Sequence, residues 1–170
     1  DTTHQIIVLP DGRFDIIFSF SDNEGLEAAL KGLDIEPKQR TIPATTLYCA
    51  VSFKLLAIEY LLNENVRTLL NIGINLPVDF WGVTRTDLAN FDVFCAKVSE
   101  KIIPLIKANI SERKQKLFSL IYESQGARTV KELSEKVFWI SRQINRYFNH
   151  TFGISLEAYC NIIRFRSSLS

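Results

Sequence analysis

The hydrophobic period of this chain changes along its length, and that change limits the fold more than any other feature. In "IIVLPDGRFDIIFSF" (residues 6–20), Phe14, Ile16, Phe18 and Phe20 alternate with Asp15, Ile17 and Ser19. Alternation sets four large apolar groups on one face of a strand. A second such run, "TTLYCAVSF", places Leu47, Cys49, Val51 and Phe53 on one side. Beyond Phe53 the apolar residues recur every three or four positions, the period of a helix. A strand-rich section followed by a helical one predicts an α+β chain.

Local signals refine that outline. Pro10-Asp11-Gly12 is a turn signal, because Pro fixes φ, Asp bonds nearby backbone and Gly tolerates positive φ. Residues 6–20 are therefore expected to form a β-hairpin about this turn, flanked by Asp11 and Asp15 as turn-forming aspartates. The polar, glycine-containing stretch 21–43 is expected to be turn or loop. Residues 57–73 and 84–91 read as short helices, the latter with Thr86 as N-cap. Residues 92–108 read as a longer helix through Phe94, Val98 and Ile102, ended near Ile103 by Pro104.

This first section offers no catalytic constellation, so an enzyme is not expected, and neither a cofactor nor a metal is implied. His4 and His150 lie in unrelated places, and no HExxH, CxxC, GxSxG or P-loop pattern occurs. Cys49 falls on the apolar face of its strand, where a buried structural thiol is the expected role. Three widely spaced cysteines, Cys49, Cys95 and Cys160, argue against a disulfide framework and for a reducing, cytoplasmic setting. No apolar run reaches the roughly 18 residues of a membrane span, and no signal-peptide pattern opens the chain. The sequence has no methionine, so it is expected to begin downstream of a natural start.

The net charge of +1 conceals an asymmetry. Residues 1–110 carry 10 Lys and Arg against 14 Asp and Glu, whereas residues 111–170 carry 10 against 5. A basic section beside an acidic one points to a nucleic-acid-binding part attached to a part with another job. Two domains are expected on this basis, 1–110 and 111–170.

In the basic section, residues 110–126 read as a helix capped by Ser111, with Leu117, Leu120, Ile121 and Ser124 as its buried side and Gly126 as its C′ residue. In "TVKELSEKV" that follows, Thr129 and Glu132 have capping-box spacing, and Val130, Leu133 and Val137 form a stripe. This short helix should end near "FWI". Next comes "SRQINRYFNHTFG" (141–153). At about 100° per residue with Arg142 at zero, Asn145 falls near 300°, Arg146 near 40° and Asn149 near 340°. On the same wheel Ile144 and Phe148 fall on the opposite side, near 200° and 240°. The helix thus has an apolar back and a front of arginine and asparagine, the side chains that pair with two atoms of a guanine or adenine edge. A solvated helix face is the plain alternative, but the capped helix before it and the short connector make a helix-turn-helix unit.

The segment "TVKELSEKVFWISRQINRYFNHTFGISLEAYCNIIRF" resembles the first helix-turn-helix of the AraC/XylS-type transcription regulators. The likeness lies in "ELSEKV", the Arg146–Phe148 pair, the Phe152-Gly153 step and "ISLEAY…RF", and spans about forty residues. More weakly, "LPDGRFDIIF" and "ATTLYCAVSFKLLAIEYLL" resemble the β-rich sensor-like domain attached to some of these regulators. The resemblance implies double-stranded DNA as partner, with base contacts from Arg142, Asn145 and Arg146. Gln143 and Asn149 become flanking phosphate contacts, joined by Lys131, Arg164, Arg166 and the cluster Arg113, Lys114 and Lys116. Trp139 and Phe148 would hold the angle between the helices, and Gly153 would close the reading helix. It leaves open a small-molecule effector and a homodimer.

Two departures stand out. Ile140 occupies the place where the family usually has a capping serine, and Ser141 follows. The family also carries a second helix-turn-helix after a joining helix. Here "SLEAYCNIIRFRSSLS" reads as that joining helix, with Leu156, Tyr159, Cys160 and Ile163 inward, and the chain then ends. The DNA-binding region is therefore expected to be truncated and weak unless paired. The rival expectation is a protein-interaction or dimerisation module without autonomous DNA binding.

Overall fold

Six strands and seven α-helices are defined within residues 3–61, 66–106 and 110–169, the residues that the computed structural model describes. The strands β1 (His4–Val8), β2 (Arg13–Ser21), β3 (Gly25–Lys31), β4 (Lys38–Ile42) and β5 (Leu47–Lys54) come first. Then follow α1 (Ile58–Leu61), β6 (Gly73–Asn75), α2 (Arg85–Leu88) and α3 (Phe91–Ile102). The remainder is helical: α4 (Glu112–Glu123), α5 (Val130–Val137), α6 (Ser141–Phe152) and α7 (Leu156–Ser167). The chain is α+β, as its change of period predicts.

The expected alternation in β2 holds, and Phe14, Ile16 and Phe18 are at most 1% exposed. The expected hairpin does not. β1 pairs with β4, from His4↔Ile42 to Val8↔Lys38, while β2 pairs with β3 on one edge and β5 on the other. The sheets are a four-stranded β5-β2-β3-β6 and a two-stranded β1-β4, antiparallel throughout. The physical reason is the quality of the faces on offer. β5 brings Phe53 onto Phe14 at 5.0 Å between ring centroids, and β3 brings buried Ala28 and Leu30. In β1, by contrast, Ile6 and Ile7 stay exposed. Asp11 does serve the turn, accepting the Arg13 backbone N–H at 2.9 Å. Asp15 instead lies within β2, where burial raises its carboxyl above the usual range.

Residues 21–43 are not loop throughout, since β3 and β4 lie in this stretch. Small Ala28 and the interleaved Glu27 and Lys31 mask the alternation of Leu26, Ala28 and Leu30 in composition. Gly73, expected to close a helix, instead opens β6, and Gly73, Ile74 and Asn75 pair onto β3.

α3 covers the sheet with buried Phe94 and Val98, and Phe94 meets Phe18 edge-on at 5.6 Å. It ends at Ile102, and Pro104 sits in a 3-10 turn, as expected. The helix expected over 57–73 is in part the 3-10 turn Leu55–Ala57, α1 and the 3-10 turn Val66–Leu69, and its positions 62–65 lie outside the described residues. Positions 107 and 108 of the longer helix also lie outside them.

The cap of α2 is Thr84, not Thr86. Thr84 and Asp87 form a capping box, and Asp87 Oδ2 also receives Lys97 Nζ at 2.7 Å. The box requires a carboxylate three residues after the hydroxyl, which Thr84 has and Thr86 lacks. Lys97 first, and Thr84 with it, hold the Asp87 carboxyl below its ordinary pKa. Its contribution to stability is therefore fully present above the unfolded carboxylate pKa of about 3.9, and is lost as pH falls through the lower folded value. Asp87→Asn should cost about 1 kcal/mol at pH 7. Urea melts on parent and variant should show that gap closing below about pH 4; a gap that stays constant with pH would deny the carboxylate its role.

The buried side chains on either side of residue 110 form one cluster. Gly12 and Gly126 show how the sections fit. A Cβ on Gly12, whose φ is +75°, would lie 2.6 Å from Ile163 Cδ1, and the Gly12 carbonyl accepts the Tyr159 hydroxyl at 3.1 Å. A Cβ on Gly126 would lie 2.2 Å from the Cys160 carbonyl oxygen, so α4 can end against α7 only through glycine. Gly126 is nevertheless one place beyond C′: Ser124 is the C-cap, and Gln125 takes the first left-handed position with φ of 51°. The Gly126 N–H then returns to the Ile121 carbonyl at 2.9 Å, closing a Schellman motif.

Candidate nucleic-acid interface

α5 begins at the expected capping box. The Thr129 Oγ1 accepts the Glu132 N–H at 3.2 Å, and Glu132 Oε2 accepts the Thr129 N–H at 2.7 Å. Leu133 and Val137 are buried, and Val130 is partly so. The helix stops because Phe138 adopts φ 51°, ψ 48°. The Trp139 N–H then bonds the Ser134 carbonyl at 3.1 Å, and the Ser134 hydroxyl donates to the Trp139 carbonyl at 2.7 Å. Phe138, Trp139 and Ile140 are thus the whole connector to α6, a length suited to a helix-turn-helix. Ile140 is the N-cap of α6 and offers no side-chain bond there.

The back of α6 docks as the wheel predicts. Ile144 and Phe148 are fully buried and Phe152 is 1% exposed. Phe148 lies 5.5 Å from Phe118 of α4, 5.3 Å from Phe152 and 5.7 Å from Tyr159 of α7. Trp139 is half-buried on Tyr147 at 5.3 Å. The helix ends at Gly153, with φ +78°. Within α7, Leu156, Tyr159, Cys160 and Ile163 all point inward. Burial pushes the Cys160 thiol up to about 11, so it is protonated at neutral pH.

On the front, Arg142, Gln143, Arg146, Asn149 and His150 are exposed. α6 contains no acidic residue, and among the described residues neither Arg142 nor Arg146 has an ion-pair partner. Arg146, Gln143 and His150 share a cleft of about 440 Å³ with Trp139, Tyr147 and Arg113 of α4. A cationic, donor-rich groove of this kind suits a polyanionic backbone and the acceptors of a base edge.

The other expected contacts are dispersed. Asn145 is half-buried, and its Oδ1 accepts the Leu156 N–H at 3.2 Å, so it staples α6 to the first turn of α7. Asn149 donates its Nδ2 to the Asn145 backbone carbonyl at 2.8 Å. Lys114 is committed elsewhere, pairing with Glu59 of α1 at 2.5 Å and lying 4.4 Å from the Tyr147 ring centroid. Lys116 lies over the exposed Phe138 ring at 5.8 Å. Lys131 and Arg164 line a separate cleft between α5 and α7, and Arg164 also donates to the Gly126 carbonyl at 2.8 Å. Arg166 lines a third cleft, together with Arg13 and Lys54 of the sheet.

One contact had no signal in the sequence. The Tyr147 hydroxyl donates to the Glu59 carboxylate, and burial first, then Glu59, pushes the phenol far above its ordinary pKa. The front helix is thereby tied to α1 by a partner 88 positions away. Cys49 is half-buried rather than fully buried, with its Sγ 3.9 Å from the Leu88 carbonyl. Among the described residues no helix is long and apolar enough to cross a membrane, and no cluster of three or more His, Cys, Asp or Glu could hold a metal. Compared with protein-family models, with curated proteins and with solved structures, the chain matches none.

Proposed function

We infer that the chain is a sequence-specific, DNA-binding transcription regulator whose reading helix is α6, in line with the AraC/XylS-type resemblance of residues 129–165. The observation that carries this reading is the front of α6, where Arg142 and Arg146 stand exposed and unpaired among the described residues. A helix held by Ile144, Phe148 and Phe152 presents them at a fixed angle. Major-groove readout needs donors on a rigid element of this kind. Arg142 and Arg146 are the base-reading pair, with Asn145 as a flanking reader through its amide N–H groups. Gln143, Asn149, Arg113, Lys116 and Lys131 supply backbone contacts. Residues 1–110 sense an effector or mediate pairing.

Selection from a random duplex pool, followed by titration of the selected duplex at several salt concentrations, tests this. Affinity should fall with a log–log slope of about −0.9 for each phosphate neutralised. Binding that ignores salt, or no binding even at low salt, would sink the DNA reading. A second reading is an interaction module, and a specific observation favours it. Phe91, Val93, Ile103 and Ile106, on and just after α3, are 69%, 45%, 66% and 55% exposed. A chain that dimerises yet selects no duplex would be this module.

A further inference from the structure

Arg13 and Lys54 are register partners at the end of the β2–β5 ladder. Like charges directly opposite one another on a sheet repel. A third cation joins them from the other end of the chain, since Arg166 in the last turn of α7 lines the same cleft, of about 580 Å³. Among the described residues none of the three has an ion-pair partner. Asp11 is the one acid in the wall among the described residues, and it spends Oδ1 on the Arg13 backbone N–H. Three cations therefore face one carboxylate, among the described residues, across a space of the size that small-molecule sites occupy.

The wall behind them is crossed by side-chain contacts. Lys54 Nζ sits 4.9 Å from the centroid of the Tyr122 ring. The Tyr159 hydroxyl gives its proton to the Gly12 carbonyl at 3.1 Å, so in the 2.8 Å contact between the two tyrosines Tyr122 must be the donor. That chain of bonds links α4, α7 and the turn before β2, the elements from which the cleft is built.

We propose that this cleft binds a small polyanion carrying two or more carboxylate or phosphate groups. The two arginines supply planar forks that match such oxyanions, and Lys54 supplies a point charge between them. A ligand held by Arg13 and Lys54 on one side and Arg166 on the other bridges the sheet to α7. It therefore stabilises the folded chain by an amount that grows with the logarithm of ligand concentration above the dissociation constant. The site stands apart from the α6 front and does not depend on DNA binding.

The test is calorimetric titration of the full chain, without DNA, with citrate and with pyrophosphate at constant ionic strength. Saturable binding with a dissociation constant below about 1 mM is expected for at least one probe, together with a rise in melting temperature. The tighter probe names the source, carboxylate or phosphate. Arg13→Gln, Lys54→Gln and Arg166→Gln should each weaken binding about tenfold or more, while Lys131→Gln, in a different cleft, should not. The Lys54→Gln chain loses a like-charge neighbour as well as its contact with the Tyr122 ring, two effects of opposite sign, so the ligand-free variant should stay folded, as its melting curve checks. No saturation with either probe up to about 10 mM overturns the proposal, as does unchanged affinity in the folded variants. So does a Lys54→Gln chain that loses duplex affinity in ligand-free buffer as steeply as it loses citrate, which would make the cluster a contact to nucleic-acid backbone.

Discussion

Phe148→Ala should destabilise the chain by about 3–5 kcal/mol, the range for emptying an aromatic site in a packed core. Phe148 is fully buried, and four rings surround it: Phe118, Tyr147, Phe152 and Tyr159, all with centroids within 5.7 Å. Those rings come from α4, α6 and α7, and two of them are also held by hydrogen bonds, which resist collapse into the space. Tyr159 is held by Gly12 and Tyr122, and Tyr147 by Glu59. Loss of the ring also removes edge-to-face contacts worth about 0.5–1.5 kcal/mol per pair beyond area. Urea denaturation followed by circular dichroism measures the loss. A cost under about 1 kcal/mol would mean that the aromatic cluster does not set the position of α6.

Arg146→Ala carries the second large effect, on recognition. If Arg146 reads a base, the variant should lose about 1–3 kcal/mol at its cognate pair and relax specificity at that position. Its exposure and its lack of an ion-pair partner among the described residues predict a folded variant, so the loss should come without a change in melting temperature. Competition among duplexes that differ at single positions reads it out. A uniform loss across all sequences would demote Arg146 to a phosphate contact, and no loss would remove it from the interface.

Much of the helical section was legible because its signals are local. The capping box at Thr129 and Glu132, the Ser111 cap, the stripe of α5 and the two faces of α6 each depend on residues within one or two turns. The pairing of the strands was not legible. The turn at Pro10-Asp11-Gly12 exists, but a turn says only that the chain reverses, not which edge its two arms will join. That choice went to β3 and β5 because their inward rows filled space against Phe14, Ile16 and Phe18 better than β1 could. Threonine alone does not identify the cap of α2, since Thr84 and Thr86 both lie within two positions of the helix start and only the carboxylate at Asp87 separates them.

The candidate interface divides in the same way. From the sequence alone came the apolar back of α6, its cationic front and the absence of any acid along it, since these follow from a fixed angle per residue. Tertiary structure decided which of the polar side chains were still free to act. It tied Lys114 to Glu59, turned Asn145 toward the Leu156 N–H, and sent Arg166 to a cleft with Arg13 and Lys54. Those partners are 55, 11 and more than a hundred positions away. A helical wheel shows which way a side chain points, but only packing of the whole chain shows what it meets there.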